Sequence, residues 1–368
     1  MKSATCDLTV LEVFQAYYDC RKCKRNTVNA LAFEENLERN LMDLYYELVS
    51  QEYVAGRSIM FVITRPKARE VWAADFRDRI VHHVLYNRYS PYFYKRFIHD
   101  SYACIPNKGT LNAAKRVEYF IRAATKNHTQ DAWFLKADIA NFFVSIDKNI
   151  LDTLLACHIK DPWWLWLTRA ILHRDPTEGV YIKSDKGLLS LVPPHKSLLN
   201  SPKGKGLPIG NLSSQFFANI YLNELDQYAK HGLKARYYAR YVDDIIIVGE
   251  SGSCLNKKYT SLCGFVESKL DIKFHPNKMQ INTVDTGVNF VGYIIKPHRK
   301  YLRRTTIDNL YSRADPDLSF LDIRPTINSY LGMMRNANSY KERQKFSSLM
   351  VENGFYFDRD LTKLEGKT

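Results

Sequence analysis

The stretch YARYVDDIIIVGE, residues 238 to 250, sets two adjacent aspartates between an aromatic, β-branched run and a run of pure Ile and Val. Paired carboxylates repel, and burying either one without a partner costs several kcal/mol. Their flanks nevertheless ask for burial. The pattern reads as a tight hairpin, strand RYYARYV and strand IIIVG, with Asp243 and Asp244 at the bend, where Asp tolerates turn conformations better than most residues. A compensating cation is therefore expected at this bend.

Working back along the chain, WFLKADIANFFVSID (133–147) alternates Trp133, Leu135, Ala137 and Ile139 with Phe134, Lys136 and Asp138. That places Asp138 on the polar-facing edge of a strand, near its end. Three carboxylates at strand ends, Asp138 with Asp243 and Asp244, can converge if their strands are neighbours in one sheet. Hard oxygen ligands of this kind suit Mg²⁺. Two such ions about 4 Å apart can activate a hydroxyl and stabilise a leaving pyrophosphate in an in-line displacement. The plain alternative is an Asp-Asp pair at an exposed turn.

The remaining segments frame these strands. FEENLERNLMDLYYELVSQEY (33–53) repeats apolar residues at three and four and reads as a helix. IMFVITRPKAREVWAADF (59–76) reads as a hairpin broken at Pro66, and helical spacing returns from Asp75 to Phe97. Residues 174–206, rich in Pro, Gly, Ser and Lys, read as a long loop. NLSSQFFANIYLNELDQY (211–228) reads as a helix capped from Asn211–Ser214, with Leu212, Phe216 and Ile220 on one stripe. The order of elements is α+β rather than a regular doubly wound alternation.

Composition narrows the partner. The 368 residues carry 53 Lys and Arg against 39 Asp and Glu, a formal charge of +14, and the pI is near 9.3. That balance points to a polyanion, nucleic acid ahead of an anionic membrane surface. No apolar run is long enough to span a bilayer, no signal-type segment opens the chain, and the seven scattered cysteines suit a reducing, cytoplasmic compartment. Cys20 and Cys23 form a lone CxxC without the two further ligands that zinc needs, so a solvated basic helix is the reading there.

YVDD between apolar strands, preceded in order by LKADIANFF and GLPIGNLSSQ, resembles the palm of reverse transcriptases over roughly residues 60 to 300. The resemblance implies an RNA-directed DNA polymerase with the right-hand fold: an N-terminal helical extension (1–55), fingers (56–132), a palm with an antiparallel sheet (133–295, including the loop 174–206) and a thumb (296–368). It implies Asp138 and Asp243 as main metal ligands, with the Ile139 backbone beside them, and Asp244 in support. The implied metal is two Mg²⁺ ions, with Mn²⁺ as an alternative. Phe143 falls at the aromatic gate against a ribose 2′-hydroxyl, and Ile139 and Ala140 at amides facing the triphosphate. Lys67 and Arg69 match the basic triphosphate-binding positions of the fingers, and Lys278 matches the palm lysine near the leaving phosphates. Lys108 and Gly109 fall where the template backbone is contacted. Gly292 and Tyr293 belong to NFVGYII (289–295), which is similar to the primer-grip hairpin. Arg299, Lys300, Arg303 and Arg304, in KPHRKYLRR (296–304), suit a thumb that follows a duplex backbone, with salt-dependent binding.

Many reverse transcriptases have QGxxxSP where this chain has Ile209, Gly210, Ser214 and Gln215. That variant resembles the enzymes of diversity-generating retroelements and of bacterial antiviral defence. An Ile in place of an amide removes hydrogen-bonding groups at the nucleotide pocket, so reduced fidelity is the expectation. The implied partners are a dedicated noncoding RNA template, the DNA product and deoxynucleotides, with an accessory protein subunit or a second copy of the chain, and no membrane. The long loop tilts the reading toward defence. RNase H, protease, integrase and endonuclease parts are not expected. Targeted mutagenesis, template-independent or protein-primed synthesis, and a non-catalytic RNA-binding scaffold stay open.

Overall fold

A computed structural model describes residues 6–22, 27–65, 67–315 and 318–367. Cys23 of the CxxC and Pro66 of the first hairpin lie outside the described residues. In chain order the strands are β1 Ile59–Ile63, β2 Arg69–Ala73, β3 Trp133–Asp138, β4 Tyr181–Ile182, β5 Tyr237–Tyr241, β6 Asp244–Gly249, β7 Gln280–Thr283, β8 Val288–Phe290, β9 Tyr293–Lys296, β10 Arg299–Leu302, β11 Phe355–Phe357 and β12 Leu364–Lys367. Helices fill most of the rest, so the fold is mixed α+β.

The chain divides into two compact units that interleave along it. The first comprises Met1–His99, Asp138–Lys234 and Ser261–Asn277; the second comprises Asp100–Ala137, Ala235–Thr260 and Lys278–Thr368.

In the first unit, the helix Val10–Arg21 starts at a reciprocal cap between Thr9 and Glu12 and turns Val13, Ala16, Tyr17 and Cys20 inward. Cys20 is therefore core, not part of a solvated face. The helix Leu37–Val49 buries Leu41, Leu44 and Leu48, the spacing that the sequence predicts. β1 and β2 pair antiparallel from Ile59↔Ala73 to Ile63↔Arg69. Buried Asp78 on the helix Phe76–Tyr94 accepts from the Tyr53 hydroxyl at 2.7 Å and from the Gly56 N–H at 2.9 Å, which ties residues 53–56 to that helix.

Residues 174–206 are not an unstructured loop. β4 lies parallel to β1, the short helix Lys186–Ser190 is capped by Asp185, and two 3₁₀ turns follow. Tyr181 N–H donates to Ser58 C=O at 2.9 Å, Lys183 N–H to Met60 C=O at 2.8 Å, and Val62 N–H to Ser184 Oγ at 2.8 Å. The buried Glu70 carboxylate accepts from Leu198 N–H at 2.9 Å, from Trp72 Nε1 at 3.0 Å and from the Ser197 hydroxyl. The insertion is thus strapped to the β1–β2 hairpin.

The second unit is built on a four-stranded sheet in the order β5-β6-β3-β7 and a three-stranded meander in the order β10-β9-β8. Its core gathers Val117 and Phe120 of the helix Thr110–Ala124 with Phe134, Ala239, Ile246, Val248, Phe290 and Ile295.

Candidate active site

β3 is covered on both faces, since Phe134 and Leu135 are equally buried. Asp138, 7 % exposed, therefore does not stand on a polar edge; it ends a buried strand. Its backbone is fixed by an antiparallel bridge between Ile139 and Phe274, with His275 N–H donating to Asp138 C=O at 2.7 Å. In the same bridge Ala140 N–H donates to Lys273 C=O at 2.8 Å. The Ala140 amide is thus taken by protein rather than presented to a triphosphate. Asn141 then adopts a left-handed φ of +49° and opens the short helix Phe142–Ser145, with Phe142 in the core and Phe143 half-buried. Leu207 N–H donates to Phe143 C=O at 2.8 Å, which fixes the ring's backbone.

The second carboxylate position is the β5–β6 hairpin. Tyr241 pairs with Asp244, leaving Val242 and Asp243 as a two-residue loop. The strained residue is Val242, with φ +54°, rather than either aspartate. Only the first central residue has a positive φ, the position where a type II′ turn takes glycine. β6, which begins at Asp244, neighbours β3, which ends at Asp138. Lys136, two residues before Asp138, puts its ammonium 3.5 Å from Asp244 Oδ1. The cation expected at this bend is therefore in part the protein's own. Lys136 was not singled out from the sequence, although strand alternation puts it on the same face as Asp138.

Among the described residues, no three His, Cys, Asp or Glu side chains stand as a ready-made metal cluster. Mg²⁺ is usually held by one or two carboxylates, waters and substrate phosphates rather than by an all-protein cage. The oxygen donors at these strand ends fit that chemistry.

In the first unit, Lys67 and Arg69 are exposed beside the β1–β2 turn. Trp72 N–H donates to Ile209 C=O at 2.6 Å, and Ala74 N–H to Asn211 Oδ1 at 3.1 Å. The Asn211 side chain therefore braces β2 and does not cap the helix Leu212–Gln227, although it stands at the cap position. Gly210 has φ +126°, and a methyl group there would lie 2.9 Å from Trp72 O and from Val71 Cγ1. Its glycine is explained by this close approach. Gln215 is exposed on the first turn of a helix otherwise buried nearly all round, so the single stripe expected of it understates its burial.

In the second unit, Lys278 is exposed. Lys108 is half-buried over the Tyr102 ring, 5.2 Å from its centroid, and burial pulls its ammonium pKa down. Gly109, φ +108°, opens the helix Thr110–Ala124. Gly292, φ +89°, accepts from Arg303 N–H at 3.1 Å. Tyr293 is buried, its hydroxyl donating to Met333 C=O at 3.3 Å. The basic run does not form one surface. Lys300, 6 % exposed, points inward and pairs with Glu118 at 2.8 Å, which corrects its reading as a duplex contact. Arg299 and Arg304 are exposed, beside Tyr301 and Asp308, and Arg303 bonds Asn289.

Comparison with known proteins adds to this geometry. The profile of the family described as Reverse transcriptase (RNA-dependent DNA polymerase) matches residues 65–295. The COX1/OXI3 intron 2 protein of Saccharomyces cerevisiae is 21% identical over 276 residues, which is 60% of this chain and 29% of that protein. Apo telomerase from Candida tropicalis superposes with a TM-score of 0.52 at 11% identity, covering 85% of this chain and 64% of that one. Telomerase from Candida albicans, in complex with a fragment of telomeric RNA, gives 0.49 at 11%, covering 84% and 59%. The chain thus spans less than a third of the curated relative and under two thirds of either telomerase chain. No helix among the described residues is long and apolar enough to cross a membrane.

Proposed function

This chain belongs to the reverse transcriptase (RNA-dependent DNA polymerase) family, and from that premise we propose that it copies a dedicated noncoding RNA into DNA by two-metal nucleotidyl transfer. The observation that carries the reading is the sheet order β5-β6-β3-β7, which sets the strand ending at Asp138 beside the strand beginning at Asp244. Asp138 and Asp243 hold the metals, and Asp244, steered by Lys136, supports them. Bound there, divalent metal supplies the positive charge that activates a primer hydroxyl and neutralises the leaving pyrophosphate. Arg69 and Lys67 grip triphosphate oxygens, Arg69 by paired hydrogen bonds, and Lys278 neutralises charge near the leaving group. Phe143 crowds the 2′ position of the incoming sugar. Gly292, with Tyr293 buried beneath it, seats the primer, while Lys108 and Gly109 with Arg299, Arg303 and Arg304 follow the template and duplex backbone. The fingers, palm and thumb boundaries given above are part of this proposal.

The cellular role we assign is antiviral defence. The strapped insertion supports a dedicated RNA, because it exposes Lys183, Lys186, Lys196 and Lys203 to bind phosphates and the Tyr181 ring for a base to stack on. Mutagenesis of a variable gene is the second reading, favoured by Ile209 and Gln215 in place of the usual amide and proline. The test is to purify the protein from its host, sequence the RNA that accompanies it, add the four deoxynucleotides with Mg²⁺, and sequence the DNA made. Product complementary to that RNA is expected from the wild type and none from Asp243→Ala, Asp244→Ala. Equal product from the double mutant contradicts the reading. If Ile209 loosens selection, the same sequencing finds fewer errors from Ile209→Gln.

A further inference from the structure

Two residues before Val242, β5 carries a cation that is 0 % exposed, Arg240. A guanidinium stays charged in a protein, and its burial is tolerated where its N–H groups find acceptors. One arm of the fork, Nη1, donates to Val242 C=O at 2.9 Å. The other, Nη2, donates to Ser101 Oγ at 3.1 Å. Backbone bonds hold the same place from the other side. Arg240 N–H donates to Asp100 C=O at 2.9 Å, and Tyr102 N–H to Arg240 C=O at 3.0 Å. The Asp100 carboxylate is itself fixed, by Arg116 Nε at 2.8 Å and by the Tyr102 hydroxyl at 3.2 Å.

The bond to Val242 is the informative one. A β-branched residue at φ +54° is strained, and such a conformation persists where its surroundings over-determine it. Rotation of the Val242–Asp243 peptide turns ψ of Val242 and φ of Asp243 and leaves φ of Val242 as it is. It would swing the Val242 carbonyl off the guanidinium, and by changing φ of Asp243 it would redirect that carboxylate.

We propose that Arg240 is a positioning residue for polymerisation: through the Val242 carbonyl it pins the Val242–Asp243 peptide and so fixes the direction of the Asp243 carboxylate. The proposal rests on Asp243 as a metal ligand. It also ties the turn to the segment that leads to Lys108 and Gly109, because Gly109 N–H donates to Tyr102 C=O at 3.0 Å.

Two variants test it. Arg240→Lys keeps the charge and loses the planar fork, and Ser101→Ala removes one acceptor with little change of shape. Mn²⁺ affinity of the protein alone is read from the free-ion electron paramagnetic resonance signal, beside the Mg²⁺ dependence of primer extension and thermal unfolding. Arg240→Lys is expected to weaken Mn²⁺ binding and raise half-saturating Mg²⁺ about tenfold, while the deoxynucleotide KM moves less than about threefold. Ser101→Ala shifts the same quantities in the same direction, less strongly, and carries the test if Arg240→Lys does not fold. A folded Arg240→Lys or Ser101→Ala protein with wild-type Mn²⁺ affinity and Mg²⁺ dependence overturns the proposal. Wild-type protein that binds Mn²⁺ no better than Asp243→Ala removes instead the metal assignment beneath it.

Discussion

The turn at residues 240–244 concentrates its charges in a braced frame, whereas the run at 296–304 disperses its own over a hairpin and the helix that follows. At the turn, buried Arg240 bonds the Val242 carbonyl and Lys136 reaches Asp244 at 3.5 Å. In the run, strand alternation on β10 sends Lys300 inward to Glu118 and leaves Arg299 exposed, and Arg304 begins a new helix beside Asp308. Charge density along a sequence therefore does not say which charges act together. Backbone period and burial do.

The largest effect expected from this comparison is at the turn. Asp243→Asn should lower DNA synthesis on the order of a thousandfold or more, because under the proposed two-metal reading it removes charge that holds the ions. The melting temperature should stay within about 3 °C, since a carboxylate placed for a ligand gives the fold little. Primer extension and calorimetry check both; an active Asp243→Asn enzyme would place the chemistry elsewhere.

A smaller effect separates two members of the run. Lys300→Ala should cost about 1–3 kcal/mol of stability, a buried-pair loss reduced because Glu118 is partly exposed, with the salt dependence of duplex binding unchanged. Arg304→Ala should leave stability within about 0.5 kcal/mol and reduce the slope of log affinity against log salt by about one. Denaturant melts and salt titrations of duplex binding distinguish the two. The reverse outcome would restore the run as a single nucleic-acid surface.

Much of the site's framework was legible in the sequence because it follows local rules. Apolar runs rich in aromatic and β-branched residues gave β3, β5 and β6, and the Asp-Asp pair marked the bend between the last two, although β3 and β6 are buried on both faces and show no period of two. What was not legible depends on residues remote in the chain. The insertion 174–206 looked like a loop from its Pro, Gly, Ser and Lys content, yet its order comes from Glu70, Ser58 and Met60, more than a hundred residues earlier. Gly210 reads as part of a motif, but its reason is the backbone of Trp72. The turn itself misleads: aspartate is the residue that tolerates unusual φ, and the strain falls on Val242 instead. Lys300 was misassigned because counting cations ignores the alternation of the strand that carries them.

The central claim is that carboxylates from the end of β3 and from the β5–β6 turn share divalent metal. Fe²⁺ substituted for Mg²⁺, with peroxide and ascorbate, cuts the backbone wherever the ion sits. The account predicts cleavage near both Asp138 and Asp243–Asp244, suppressed by excess Mg²⁺, with both cuts lost in Asp138→Ala. Cleavage at one of the two places alone, or cuts at both that persist in Asp138→Ala, would contradict it.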